Sequence, residues 1–381
     1  MHRAHLGGLE ARLRSLWANL PSPATTLVWL AIFGVLLLLA IACSPAAQPP
    51  GNGPAPGAPA TGAPAPGPPA AQAPVTQPAT YIPDGERPGI GGCPVYPRGN
   101  VFHSDVAKLP VHPDSTRMIN AVGPQRILGP GFYSTIWEGS RGGIPINVVD
   151  SRLLEPTDVI GGTYGYMSDL QDHPIPPNPK IEGHPGVAWD RHMILLDVAT
   201  CVSSEFFYVY PPNLLFDRWV ATTAVKLDLR SNTPRELGSA TASGMSMLAT
   251  MIRYDEVASG EIHHMLEVML PVIAQGAPTW PATRTDGTSS HPNAPPMGTI
   301  FRLRADVDIS GMPPQARTIA TALKTHGAVL GDTGPGFGMR GENDPRWDDA
   351  DLKALNRLTL SDFEVVDPEP MKVSEGSYAI R

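Results

Sequence analysis

The chain has 381 residues, of which 44 are Pro and 38 are Gly; that is about 22 % turn-formers against a background of roughly 12 %, so part of the chain is not packed domain. Its formal net charge is −8, from 28 Lys and Arg against 36 Asp and Glu, which leaves no basic face for phosphates and excludes a nucleic-acid binder. Seven Trp, nine Tyr and nine Phe supply apolar mass for one core, which excludes a wholly disordered chain, a coiled coil and a collagen-like rod.

Residues 1–24 carry Arg3, Arg12 and Arg14 against a single acid, Glu10, and Thr25 to Cys43 holds no charge at all. A basic opening, an apolar run and a small-residue exit describe an export signal. The exit, Leu39-Ala40-Ile41-Ala42-Cys43, resembles the lipobox of bacterial lipoproteins. That resemblance implies lipidation of Cys43, although Ala40 stands where the family prefers Leu. An uncleaved signal anchor is the competing reading, because an apolar run of about 18 residues is at the lower limit for spanning a bilayer. Ordinary secretion is the third. All three put the rest of the chain outside the cytoplasm, attached to a membrane in the first two.

From Ser44 to Thr80 no residue is charged, and Pro, Ala, Gly, Gln and Thr make up nearly all of the segment. It buries too little apolar surface to offset chain entropy. As polyproline II, at about 3.1 Å per residue, it would reach on the order of 100 Å. We read residues 1–43 as leader, 44–85 as tether, and 86–381 as one globular domain.

Within that domain, alternation is the commonest pattern. His192 to Val198 and Cys201 to Tyr210 read as two strands around the turn Ala199-Thr200. Trp219 to Leu229 and Ile262 to Leu270 read as further strands. In Gly298 to Ser310, Phe301, Leu303, Ala305, Val307 and Ile309 share one face of an expected strand. Pro313 to His326 reads as a helix, with Pro in its first turn and Gly327 beyond its end. A second helix is expected from an Asp344 cap, through Pro345, to about Leu358, with Asp348, Asp349 and Asp351 favoured by the macrodipole of its opening turns. Gly331 to Gly341 lacks the Lys-Ser/Thr end of a phosphate loop and reads as a mobile rim loop. Many strands and two or three short helices predict a mainly β fold, most simply a single sandwich or jelly roll.

If Cys43 carries lipid, Cys93 and Cys201 are an even pair in an oxidising compartment, and we expect a disulfide between them. Two buried free thiols are the alternative.

Catalytic signatures are sparse. There is no G-x-S-x-G, H-E-x-x-H or GxxxxGK[ST], no cofactor motif and no histidine spacing suited to a metal. Asp190 and His192 lie two apart, so an extended backbone points both to one side; a carboxylate beside a histidine can prepare a general base. The plainer reading is a structural Asp–His hydrogen bond. His264 falls on an apolar face, either as a third catalytic group or as a satisfied core histidine. Asp255 and Glu256 read as the opening of a helical turn before an acid pair. Trp189, Trp219, Trp280 and Tyr254 could offer ring faces to a sugar, or fill the core.

Five strings keep their order along the chain: WDRHMILLDVATC, DLRSNTPRELGSATASG, IRYDEVASGEIHHML, PPMGTIFRLRADVDIS, and DPRWDDADLKAL leading to SDFEVVD. Together they resemble a family of exported, predominantly β bacterial proteins, many with lipoprotein signals, of unestablished activity. The resemblance covers most of Cys93 to Asp367 and implies one extracellular domain with a polar cleft; it implies no reaction. The family tends to have Ser-Ala-Asp-Ala where this chain has Ser239-Ala240-Thr241-Ala242, and Pro-Ala-Thr-His where it has Pro281-Ala282-Thr283-Arg284. The expected function is a membrane-tethered envelope protein that acts on a polysaccharide or, as a degenerate enzyme, binds one. The alternative is a non-catalytic structural or protein-binding lipoprotein.

Overall fold

The structure is a computed structural model and describes residues 81–83 and 88–381, except 188 and 215. The leader, with Cys43, and nearly all of the tether lie outside the described residues.

Fifteen strands follow in chain order. They are β1 (Tyr81–Pro83), β2 (Pro88–Ile90), β3 (Leu128–Pro130), β4 (Ile136–Trp137), β5 (Ser140–Arg141), β6 (Ile146–Val149), β7 (Val159–Gly161) and β8 (Met193–Asp197). Then come β9 (Val202–Tyr210), β10 (Trp219–Asp228), β11 (Leu266–Leu270), β12 (Ile300–Leu303), β13 (Ala328–Thr333), β14 (Phe337–Met339) and β15 (Phe363–Val365). Two sheets dominate, a five-stranded one in the order β6-β8-β9-β10-β7 and a six-stranded one in the order β15-β12-β13-β11-β14-β3. The fold is mainly β, and both sheets are mixed. β6 runs parallel to β8, β7 to β10, β13 to β11 and β3 to β14. Among the described residues five α-helices accompany them, more than the two or three expected: α1 (Ser115–Val122), α2 (Met247–Thr250), α3 (Tyr254–Ser259), α4 (Pro314–Thr325) and α5 (Asp349–Leu352).

Every residue of β8 is buried, as expected of a strand covered on both faces. Ile194 and Leu196 join the large apolar cluster, and Met193 and Leu195 join a second one. The large cluster also holds Leu266, Val268 and Leu270 of β11 and Ala328, Val329 and Leu330 of β13, so both sheets feed one core.

The hairpin of β8 and β9 forms as the alternation predicts, with Met193 opposite Phe206 and Asp197 opposite Val202. Cys201, at its turn, is bonded to Cys93 across a sequence separation of 108; the expected disulfide is present.

Four expectations are corrected. The strand read from Ile262 begins only at Leu266, which leaves His263 and His264 outside it. The strand read through Ser310 ends at Leu303, because its partner β15 ends there. Beyond it, Lys324 of α4 takes the carbonyls of Ala305 and Val307. The helix read from Asp344 starts at Asp349, capped by Asp348. The Asp344 carboxylate is bound instead by Arg346, through its backbone N–H and two guanidinium nitrogens. Asp351 accepts from the Gln315 and Ala316 N–H groups and so serves the first turn of α4. Finally, the glycine-rich segment is not a rim loop but supplies β13 and β14, on either side of β11. Gly331 permits that approach, since a Cβ there would stand 2.5 Å from the Glu267 side chain.

Candidate functional site

On β8 the face bearing Leu196 and Ile194 continues backwards to His192. On β10 the face bearing Leu227 and Val225 continues to Thr223. At this end the apolar ladder turns polar, and a cavity of about 560 Å³ opens. Asp190, His192, Phe207 and Thr223 line it from the five-stranded sheet, and Asp332 and Thr333 from the end of β13. Ser239 to Ala242 and Arg284 to Asp286 complete the wall from two connecting segments.

His192 is buried and held by a residue the sequence reading missed. Its Nδ1 donates to Glu182 Oε2 at 2.7 Å, and its backbone N–H donates to the same oxygen at 3.1 Å. With Nδ1 committed, Nε2 is the free nitrogen, without a partner among the described residues; that is the tautomer a general base requires. Burial alone would raise the Glu182 carboxyl, but the His192 charge and its two bonds outweigh it and hold the carboxyl below the usual range. Only the ten-residue spacing from Glu182 to His192, across a Pro-Gly turn, could have suggested this pair.

Asp190 stands at the mouth of the cavity. Its carboxylate makes no hydrogen bond or ion pair among the described residues, and partial desolvation raises its pKa, against the opposing pull of His192. Two further carboxylates line the same space but are engaged. Asp332 pairs with Arg340 at 2.6 Å, and Asp286 accepts from the Thr333 hydroxyl at 2.7 Å. Arg340 is buried and also meets Glu267 at 2.6 Å. Burial lowers the pKa of this guanidinium, yet Glu267 and Asp332 more than reverse that. Glu267 in turn accepts from the Thr250 hydroxyl at 2.7 Å, and burial pushes its carboxyl up.

The three expected catalytic residues are therefore not gathered together. Asp190 and His192 share the cavity, and the structural bond expected between them is replaced by the one from His192 to Glu182. His264 does not line the cavity. It is buried, with Nε2 3.0 Å from Glu256 and Nδ1 2.9 Å from the Met265 carbonyl. Glu256 also binds Arg253 at 2.5 Å. Burial opposes its charge, but Arg253 and His264 hold the carboxyl down to about 2. This is the satisfied core histidine, and Asp255 and Glu256 open α3 as a helical turn.

Of the candidate aromatic platforms, Trp280 is buried and donates from Nε1 to the Ser377 carbonyl. Tyr254 packs edge-on against Trp347, beneath Arg346. Trp219 lines a separate hollow of about 600 Å³ among prolines 176, 177, 211 and 212. Trp189, next to Asp190 in the chain, lies parallel to the exposed Trp137 with ring centres 6.2 Å apart. Among the described residues, no group of three His, Cys, Asp or Glu side chains could hold a metal ion. No helix among them is long and apolar enough to cross a membrane.

Thr241 and Arg284 both line the cavity. They are 43 positions apart and are brought together when the Ser243 carbonyl accepts from the N–H groups of both Thr283 and Arg284. Compared with protein-family models, curated proteins and solved structures, the chain matches none.

Proposed function

We propose that this is an exported, membrane-tethered cell-envelope protein whose β-rich domain, layered like a sandwich, binds a saccharide in the cavity at the polar end of its core. The observation that carries the reading is the joint placement in one 560 Å³ space of a free carboxyl, Asp190, and a histidine oriented by Glu182. Carboxylates, hydroxyls and an imidazole around such a space suit a polyhydroxylated ligand, and Trp189, stacked on Trp137, is next to Asp190 in the chain. The disulfide agrees with an oxidising compartment outside the cytoplasm, and lipidation at Cys43 or an uncleaved leader would supply the membrane attachment.

Binding is favoured over turnover. Hydrolysis of a glycosidic bond needs two available carboxyls roughly 5–10 Å apart, and of the three lining the cavity only Asp190 is unengaged. His192, oriented by Glu182, is suited to general base work. In this reading, the replacements at Thr241 and Arg284 mark a centre that has lost part of its chemistry. The same engaged carboxylates support the second reading, a non-catalytic surface lipoprotein.

Screening the full-length protein against soluble polysaccharides, for binding and for release of reducing ends, tests this. Binding that is abolished in His192→Ala and weakened in Asp190→Asn is expected. Binding unaffected by both variants would remove the cavity from the account.

A further inference from the structure

We infer that Arg191 forms a carboxylate-binding site outside the cavity, in which the two Nη nitrogens of its guanidinium take the two oxygens of the ligand. The site is independent of the saccharide reading.

Four arginines are buried among the described residues. Three are paired with carboxylates: Arg253 meets Glu256 at 2.5 Å, Arg302 meets Glu364 at 2.5 Å and Arg340 meets Glu267 at 2.6 Å. Arg191, 7 % exposed, has no carboxylate partner among the described residues. A buried charge ordinarily has one, because its lost hydration must be offset. Burial lowers the pKa of this guanidinium, and only Tyr210 acts against that.

The head group is nonetheless held in place. Its Nε donates to the Val209 carbonyl at 2.9 Å, and the guanidinium lies over the exposed Tyr210 ring, 4.3 Å from its centre. With the Nε edge anchored and one face stacked, the Nη edge is left over. Neither Nη has a partner among the described residues, and neither is sealed from solvent. A planar pair of donors of that kind matches the two oxygens of a carboxylate. Arg191 stands between Asp190 and His192 but does not line their cavity. Its backbone is left-handed, with φ 50°, a conformation that glycine adopts freely and a residue with a Cβ does not. The chain keeps an arginine there in spite of both the strain and the unmatched charge. His184 is close enough for Arg191 to act on it, and burial first, then that charge, lowers its imidazole below the usual value. It is therefore neutral at pH 7 and adds no second charge. One negative charge balances the site, which favours a carboxylate over a doubly charged phosphate.

Thermal unfolding of the full-length protein at pH 7 tests this, with acetate, glucuronate or inorganic phosphate replacing chloride at constant ionic strength. A ligand that binds only the folded state raises Tm. Glucuronate should raise it above the value in chloride. Arg191→Met replaces an unpaired charge with an apolar stem, so it should fold and lose that rise. Arg191→Lys keeps the charge without the planar fork and should bind glucuronate about tenfold more weakly; this comparison stands even if the Met variant does not fold. Acetate separates the sources. A rise from acetate as well marks a site for any free carboxylate, and a rise from glucuronate alone marks one for a sugar acid; both support the site. No rise from either carboxylate, an equal or larger rise from phosphate, a rise that survives in Arg191→Met, or undiminished glucuronate binding in Arg191→Lys would overturn it.

Discussion

Replacing Thr223 with Val should stabilise the protein. The side chain is 1 % exposed, and its hydroxyl is cut off from solvent without a partner among the described residues. A buried hydroxyl left unpaired costs roughly 1–3 kcal/mol. Val keeps the volume and the β-branch, and the position lies inside β10 opposite Phe207, so strand preference is unchanged. Against a slightly imperfect methyl fit, the net gain should be about 1 kcal/mol, a rise in Tm of about 2 °C for a domain of this size. Urea unfolding of the wild type and the variant, with equal m-values, measures it. A loss of about 0.5 kcal/mol or more would show that the hydroxyl is already satisfied, and the reasoning from an unpaired buried group would fail.

Replacing both Cys93 and Cys201 with Ala should lower unfolding stability by about 4–5 kcal/mol, because the bond closes a loop of over one hundred residues; a loss under 1 kcal/mol would refute it. Glu342 is raised to about 7, first by burial and then by Asp344 and Asp255, against the N–H that Tyr254 donates. A carboxyl raised on folding stabilises below its unfolded pKa, so stability should fall as pH climbs from about 4.5 to about 7, by at most about 3 kcal/mol. Glu342→Gln should flatten that slope, and a variant no more stable than wild type at pH 8 would reject the assignment. Glu256, held near 2 by Arg253 and His264, has the opposite sign. Its contribution is present above about 4.5 and lost as acid approaches 2. Glu256→Gln should cost about 3–5 kcal/mol at pH 7 by leaving Arg253 buried and uncompensated, as chemical denaturation would show.

What the sequence disclosed was local. The hairpin from His192 to Tyr210, strand β10 and helix α4 were legible because each carries its own period and its own turn or cap. The acidic run Asp344 to Asp351 was misread because four carboxylates near one helix start look alike in a string. Only the fold reveals that Asp344 serves Arg346, Asp348 the cap, and Asp351 another helix. The glycine-rich segment was misread for a similar reason. Glycine marks both mobile loops and strands packed too closely for a Cβ, and Gly331 against Glu267 is the second kind. Half of the site was legible: Asp190 and His192 were found by their spacing of two, which survives because the backbone there is extended. Glu182, Asp332, Arg340 and Thr223 were not, since they come from separate segments and share no local pattern. His264 was a false lead that spacing alone could not dismiss, because an apolar face hides catalytic and packing histidines equally well.

The position of the cavity follows from how the two sheets share their core. Over most of its length the shared face of the five-stranded sheet is apolar, as Ile194, Leu196, Val225 and Leu227 show. Continuing that ladder with Val or Leu at positions 192 and 223 would close the gap and bury more apolar area, at about 25 cal/mol per Å². The chain instead places His192 and Thr223 there, supports one with the half-buried Glu182 and leaves the other's hydroxyl unpaired. Behind β13 it buries Arg340 between Glu267 and Asp332, where an apolar residue would pack without desolvating charge. Polar groups kept where apolar ones would be more stable are the physical mark of a site selected for its ligand rather than for folding. By the same test His264 and Glu256 are structural: Glu256 is engaged by both His264 and Arg253, and the second ring nitrogen of His264 by the Met265 carbonyl.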